Sequence, residues 1–575
     1  MSNLDLSGTE APPVIGQRLS LGALSFTYEG GALRHIKLGE TEVLRSIAFL
    51  VRDRDWGTLS PRLHSETFEH TDTMLRIGYE ARYESNGARL DVALRIVADA
   101  AGLTISARGV ASGAFETNRA GFTVLHPING VAGQAVRVEH SDGSVEATRF
   151  PDLIAPWQPF MEIAALTHQA GGQSITCRMQ GDTFEMEDQR QWGDASFKTY
   201  NRPLAKPWPY VIEEGAALEQ SVTLTWEAAQ AQNAQPRPVA EPIHARFPQM
   251  ALVITPQDAR RLAASPEDLA LVKPQRLLCH LDATLGDTEA QFAAFAEAQA
   301  ACPETAFDLE LICVCAPDPA PEMQRLAAEM EASGLRPASV LICPSVDRQS
   351  TPPGSDWPEC PPLDLVHRAA REAFPNVTRG GGMVSFFPEL NRKRPPLEGL
   401  EFVSHGLCPI VHAADDLSVM ESLEAIPHIT RSARAIAQDR AYRIGPATIA
   451  MRQNPYGART IPNPHAARIC MADDDPRHRA AFGAAYAVGL AAALAPARIS
   501  VWTPAALYGP RGVHPHWPIT QVLQELSAMS GQEVRLAPIQ DGIARIVAGD
   551  VEITANLTAE PRAGLGGYAW RRRAL

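Results

Sequence analysis

Four stretches, QRLLCHLDA (275–283), FDLELICVCAP (307–317), SVLICPS (339–345) and GGGMVSFFPEL (380–390), decide the fold of this 575-residue chain. Each is a near-continuous apolar run of strand length, the pattern of a strand buried on both faces of a parallel sheet. Between and around them lie segments of helical character: PQDARRLAA (256–264), TEAQFAAFAEAQAA (288–301), PEMQRLAAEMEASG (321–334) and DDLSVMESLEAIPHITRSARAIAQ (415–438). Working outward, MALVITP (250–256) precedes the set, and LEFVSHGLCPIV (400–411), YRIGPATIAMR (442–452) and ARISVWTPAALYG (497–509) follow it. About eight strand–helix units predict a (β/α)₈ barrel over 244–530. A doubly wound open sheet is the runner-up, weakened because no GxGxxG or P-loop turn follows any strand.

The region before the barrel changes character. Short alternating runs such as LSFTYEG (24–30), TMLRIGYEARYES (73–85), QSITCRMQ (173–180) and EQSVTLTWE (219–227) are separated by turn signals, including SNG after Glu84 and SDG after His140. Residues 1–227 therefore predict an all-β sandwich, for which a mutarotase-like supersandwich is one form. The Ala-, Gln- and Pro-rich stretch 228–243 is expected to be a linker, and the β-rich segment 531–575 a small C-terminal β domain.

Composition narrows the function classes. Apolar residues make up 45% and charged residues 21%, ordinary for a globular protein. The net charge of -14 and the lack of a basic stripe argue against a nucleic-acid partner. The one basic cluster, Arg571–Arg573, is expected to be a solvated tail. Of nine cysteines, eight lie at Cys279 or beyond. Cys313 and Cys315 could share a strand face, but without a CxxC pair or HExxH motif reduced core cysteines are the better reading, and they suit a cytoplasmic protein. The N-terminus has neither a basic nor an apolar leader region, and the longest apolar stretch, Ala480–Pro496, reads as a buried barrel helix with no call for a membrane partner.

In such a barrel the reactive residues stand at the C-terminal ends of the strands. That rule nominates His280 and Asp282 on the second strand, Ser345 and Asp347 on the fourth, and Glu389 and Asn391 on the fifth. It adds His405, His412, Asp415 and Asp416 on the sixth, Arg452, Gln453 and Asn454 on the seventh, and Trp502 and Tyr508 on the eighth. Carboxylates and histidines can take a proton from water, amides can hold hydroxyls, and a ring can stack on a sugar face. Glu389, His412, His405 and Asp282 are the catalytic candidates; Asn391, Asn454 and Trp502 are expected to bind substrate. The alternatives are plain: Asp415 and Asp416 as helix caps, His405 as a hydrogen-bonded core residue. Ser345 has no nucleophile elbow around it. No metal-ligand spacing is present, so no cofactor is expected, although a divalent metal stays open.

The stretch EMEDQRQWGDASFKTYNRPLAKPWPY (185–210) sets many charges among aromatic rings without simple strand alternation. A long loop of that kind is functional or wedges domains together. It adds Lys198, Tyr200 and Asp194 to the substrate-binding candidates. This stretch resembles the signature region of the D-apionate lactonases. SIAFLVRDRDWGTL (46–59), HPINGVAG (126–133), FPDLIAPWQPF (150–160), SHGLCPIVHAADDLSVMESL (404–423) and QNPYGART (453–460) are similar to it too. The resemblance implies sandwich, barrel and small β domain, and hydrolysis of D-apionolactone to D-apionate in D-apiose breakdown. The small-molecule partner would then be a sugar lactone.

On that expectation Glu389 or His412 activates water, and His405, Lys198 or a similar donor steadies the oxyanion. Asp282, Asn391 and Asn454 hold hydroxyls. The rivals are a glycoside hydrolase pairing Glu389 with Asp282 or Asp347, and a carbohydrate-binding protein with an inert barrel. Nothing in the sequence sets the oligomeric state.

Overall fold

The computed structural model describes residues 2–54, 56–228, 245–457 and 459–575. Of the expected linker, all but Ala228 lies outside these residues. The chain forms two compact units: Val14–Arg190 with Ala195–Pro238, and Met1–Pro13 with Gln191–Asp194 and Val239–Leu575.

The first unit is a sandwich of a seven-stranded and a nine-stranded sheet, each antiparallel throughout. Alternation produces it directly. In Leu24–Glu29 and Leu75–Ser85 every second side chain is buried, so one face of each sheet is apolar and closes on the other. Phe26, Phe49, Phe122, Tyr83 and Ile96 belong to the resulting core. One reading is corrected here: the segment 185–210 does contain strands, Glu185–Glu187 and Ser196–Tyr200, which pair with each other at the margin of the seven-stranded sheet. All five residues of Ser196–Tyr200 are buried, so there was no polar–apolar alternation to read.

The second unit is a closed barrel of eight parallel strands. In chain order they are β1 (Gln249–Ile254), β2 (Arg276–Asp282), β3 (Ala306–Cys313), β4 (Ser339–Pro344), β5 (Thr378–Phe386), β6 (Phe402–Leu407), β7 (Ala441–Ala447) and β8 (Val501–Ala506). Helices such as Thr288–Ala301 and Pro319–Ser333 cross over between strands. The Ala-rich run predicted as a barrel helix is one, Ala481–Leu494, buried along nearly its whole length. Among the described residues no helix is long and apolar enough to cross a membrane.

The barrel is filled, with a cavity of about 30 Å³ in its interior. At the N-terminal end Asp308 binds Arg276 at 2.5 and 2.7 Å and the Ser339 hydroxyl at 2.5 Å, with Arg443 3.4 Å away. Burial pushes the Asp308 carboxyl up, but these cations and hydrogen bonds outweigh it and the net shift is downward. A satisfied network at this end of a barrel reads as stability.

After the barrel, strands between Glu533 and Ala574, together with Ala245–Arg246, make a further antiparallel sheet. Arg571–Arg573, expected as a solvated tail, lie in its last strand, Trp570–Ala574, paired with Val551–Asn556. Their side chains are exposed, but backbone pairing and an Arg572–Glu525 ion pair at 2.8 Å make this a strand and not a loose tail.

Candidate active site

Period-two alternation sets the site. On β2, Arg276, Leu278 and His280 share one face; on β3, Asp308, Glu310 and Ile312 do. Register pairs His280 with Glu310. His280 Nδ1 lies 2.6 Å from Glu310 Oε1, and Arg452 donates to the same carboxylate at 2.6 and 3.3 Å. Burial pushes the Glu310 carboxyl up, but the Arg452 charge and the His280 hydrogen bond outweigh it and bring it to about 2. Arg452 also donates to the Val384 carbonyl. It does not belong to β7, as expected from sequence, because that strand ends at Ala447. It enters from the long connection between Ala447 and Ala481.

That connection is laced to the neighbouring strand ends. Gln453 donates to the Arg348 carbonyl, and Arg348 holds Asp282 Oδ2 at 2.6 Å. The other Asp282 oxygen accepts from Thr284, so this candidate anchors the end of β2. The Ser350 N–H donates to the Pro455 carbonyl at 2.7 Å. Asn454 accepts from the Tyr456 N–H and donates to the Arg459 carbonyl. Asp347 is buried and held by Lys393 at 2.6 Å; burial nevertheless leaves its carboxyl above the usual range.

Beyond β5 the short helix Phe387–Arg392 carries Glu389 and Asn391, so both stand past the strand end. Glu389 is 5% exposed, and neither of its oxygens makes a hydrogen bond. Burial raises its pKa, against a smaller downward pull from the Arg392 charge and the nearby Ser350 hydroxyl. Asn391 accepts from Arg394 at 3.1 Å. Arg392 donates to Ser350 and lies 5.8 Å from the Trp192 ring. Trp192 in turn packs edge-on against His412 and beside Tyr456. His412 Nδ1 is 2.7 Å from Asp194 Oδ2, with both side chains partly accessible. Asp415 caps the helix Asp416–Glu421 through the Ser418 N–H, the alternative reading given above.

These contacts link the ends of β2, β4, β5, β6 and β7 with Trp192 and Asp194 into one connected rim that includes Asp282, Glu389, Asn391, His412, Asn454 and Asp194. Two of the barrel's own candidates stand apart from it. His405 is fully buried in β6, its Nδ1 donating to the Gly406 carbonyl and its Nε2 accepting from the Tyr442 hydroxyl; burial lowers its pKa to about 4. Trp502 is equally buried. Its neighbours Val501 and Thr503 face the interior cavity, while Trp502 points outward among Tyr486, Leu490 and Ile519 of the helical layer. In the sandwich, Lys198 pairs with Glu187 at 2.6 Å and Tyr200 donates to Glu185 at 2.6 Å, with Arg119 over its ring. Burial lowers the Lys198 pKa and raises that of Tyr200.

Sequence reasoning missed Glu310. Its signal was present: in FDLEL, Asp308 and Glu310 alternate within an apolar strand and so share the inward face. The Cys313–Cys315 face-sharing does not arise, because β3 ends at Cys313 and Cys315 takes a left-handed turn conformation (φ 65°). Among the described residues no three His, Cys, Asp or Glu side chains are grouped to hold a metal. A shallow depression of about 530 Å³ lies on the nine-stranded sheet, but it holds no aromatic ring, and its carboxylate, Glu219, is an exposed partner of Arg108.

A family model for the TIM-barrel domain of D-apionate lactonase matches residues 250–531, and one for its N-terminal domain matches 4–229. A D-apionate lactonase of Brucella anthropi is 46% identical over 526 residues, 89% of this chain and 86% of that protein. Solved structures are far looser matches. A galactose mutarotase-like protein of Clostridium acetobutylicum has TM-score 0.27 at 8% identity, covering 38% of this chain and 99% of that one. An endoxylanase of Clostridium papyrosolvens has TM-score 0.34 at 7% identity, covering 55% and 83%. Two domain models that together span both units, with a relative this similar along its length, settle the matter: the chain belongs to the D-apionate lactonase family.

Proposed function

We propose that this chain is a carboxylic ester hydrolase that opens the lactone ring of D-apionolactone to give D-apionate, with water activated at the C-terminal mouth of the barrel. The observation that carries the mechanism is the His412–Asp194 pair on the connected rim. Asp194 accepts the Nδ1 proton, which leaves the Nε2 lone pair of His412 to take a proton from water. The hydroxide oxygen attacks the lactone carbonyl, whose π pair moves to oxygen. Glu389, whose carboxyl burial pushes upward, is the proposed donor to that developing charge. Collapse breaks the ring C–O bond. Asp282, Asn391 and Asn454 are the proposed hydroxyl contacts. No proton transfer is assigned to His405, Trp502, Lys198 or Tyr200, which are packed in the barrel wall or bonded within the sandwich.

All nine cysteines are free, which supports the cytoplasm as the working compartment. The test is acid release in a pH-stat against D-apionolactone, unbranched aldonolactones and an aryl glycoside. The proposal expects turnover of the branched lactone and none of the glycoside; the reverse result refutes it. Glu389→Ala should lower kcat by about 10²-fold or more with the fold intact, and near-normal turnover removes Glu389 from the mechanism.

A further inference from the structure

We propose that His280 is the general acid that protonates the departing ring oxygen, with Glu310 and Arg452 as the residues that position it. This rests on the lactonase reading above and completes it. Collapse of the tetrahedral intermediate sends the C–O bonding pair to the ring oxygen, and an alkoxide is a poor leaving group unless a proton arrives as the bond breaks. His412 holds the proton taken from water. In a ring of eight strands β2 and β6 are four apart, so His280, on β2, stands across the barrel from the β6 end that His412 follows. Two separate imidazoles let one take the proton from water while the other, already protonated, serves the ring oxygen.

Three observations assign the role to His280. It sits near the C-terminal end of its strand with its side chain 23% exposed, whereas Glu310 is almost fully enclosed. Its Nδ1 is committed to Glu310, and its Nε2 has no partner among the described residues, so one nitrogen is aimed and the other is available. Arg452 donates twice to Glu310, which at about 2 remains a carboxylate at any working pH; the proton between the pair therefore belongs to the ring. Glu310 steadies the charged imidazole without taking its proton, and the ring delivers Nε2–H to the alkoxide. Neutral His280 is then reprotonated from solvent, and His412 returns its proton there. The balance is lactone plus water to hydroxy acid.

Leaving-group dependence tests this. Wild type, His280→Gln and His412→Gln are compared on D-apionolactone, whose alkoxide needs a proton, and on dihydrocoumarin, whose phenoxide leaves without one. His280→Gln should lose about 10²-fold or more on the sugar lactone and less than about tenfold on the aryl lactone, whereas His412→Gln should lose on both. Equal losses for His280→Gln on the two substrates, or turnover of the sugar lactone within about threefold of wild type, overturn the proposal. If the wild type rejects the aryl lactone, His280→Gly with added imidazole decides: restored turnover supports the role, and unchanged turnover overturns it. Glu310→Gln should lower kcat by about 10–100-fold with KM little changed and show the same leaving-group pattern; normal kcat removes Glu310 from positioning. A wild type that opens no lactone overturns the lactonase reading and this one together. A working wild type with an indifferent His280→Gln overturns this one alone.

Discussion

His168 offers a quantitative test of how the sandwich is held together. Its ring is 2% exposed, packed 5.7 Å from Phe150 and 6.4 Å from His126, and neither nitrogen has a hydrogen-bond partner. Burial lowers its pKa from 6.5 to about 4. The folded pKa is depressed, so the unfolded chain binds the extra proton. Stability is fully present above about pH 6.5 and is lost as the pH falls toward 4. For one such group the loss between about pH 7 and about pH 5 comes to about 2 kcal/mol, or about 4–8 °C in melting temperature for a unit of this size. His168→Leu keeps a similar volume, removes two unpartnered polar atoms and should raise stability at neutral pH by about 1–3 kcal/mol. It should also flatten the acid slope by about one proton. The assay is thermal melting followed by circular dichroism across that pH range. An unchanged acid slope in His168→Leu would show that the ring does not titrate between the two states and refute the reasoning. His126 is lowered further, to about 3, by burial and by His168, so the variant reports the pair's coupled titration with one member removed.

Two further outcomes follow from the barrel. Asp194→Asn replaces an acceptor-only carboxylate with an amide that can present either end to His412; steady-state kinetics should show kcat falling by about 10²–10⁴-fold with KM little changed. Tyr442→Phe leaves His405 Nε2 buried without its donor, so melting should show a cost of about 1–3 kcal/mol while kcat stays within about threefold; a collapse of kcat at unchanged stability would return His405 to the chemistry.

The barrel strands were legible because most of their positions are enclosed and so read as near-continuous apolar runs; β4, SVLICP, is buried at every position. The sandwich was legible for the opposite reason, one face wet and one dry. The site was harder to read. Strand ends nominate positions, but parity decides which side chains look inward, and it separates Thr503 from its neighbour Trp502. Glu389 and His412 lie past their strand ends, in segments with no period to extrapolate. His412 and Asp194 are 218 residues apart, and no local pattern announces that a four-residue piece of the segment 185–210 joins the barrel unit. Arg452 reaches Glu310 from a non-periodic excursion, although the acidic half of that pair was open to inspection in FDLEL.

The distribution of counter-charges argues for histidine chemistry over a carboxylate pair. A glycoside-cleaving site works with two carboxyls free to exchange protons with substrate and water. Here Asp282, Asp347 and Glu310 are each held by a cation, Arg348, Lys393 and Arg452, at 2.6 Å. The cation beside each holds it in place, and Glu310 at about 2 cannot cycle its proton near neutrality. Glu310 also faces an imidazole, His280, and Asp194 faces His412; each pair leaves one ring nitrogen uncommitted to its acid partner. Imidazole is the general acid–base group of ester hydrolysis, and a lactone opens by addition and elimination at a carbonyl with no oxocarbenium ion to stabilise. The arrangement therefore fits the proposed acyl transfer to water, in which the acids direct the imidazoles that carry the proton.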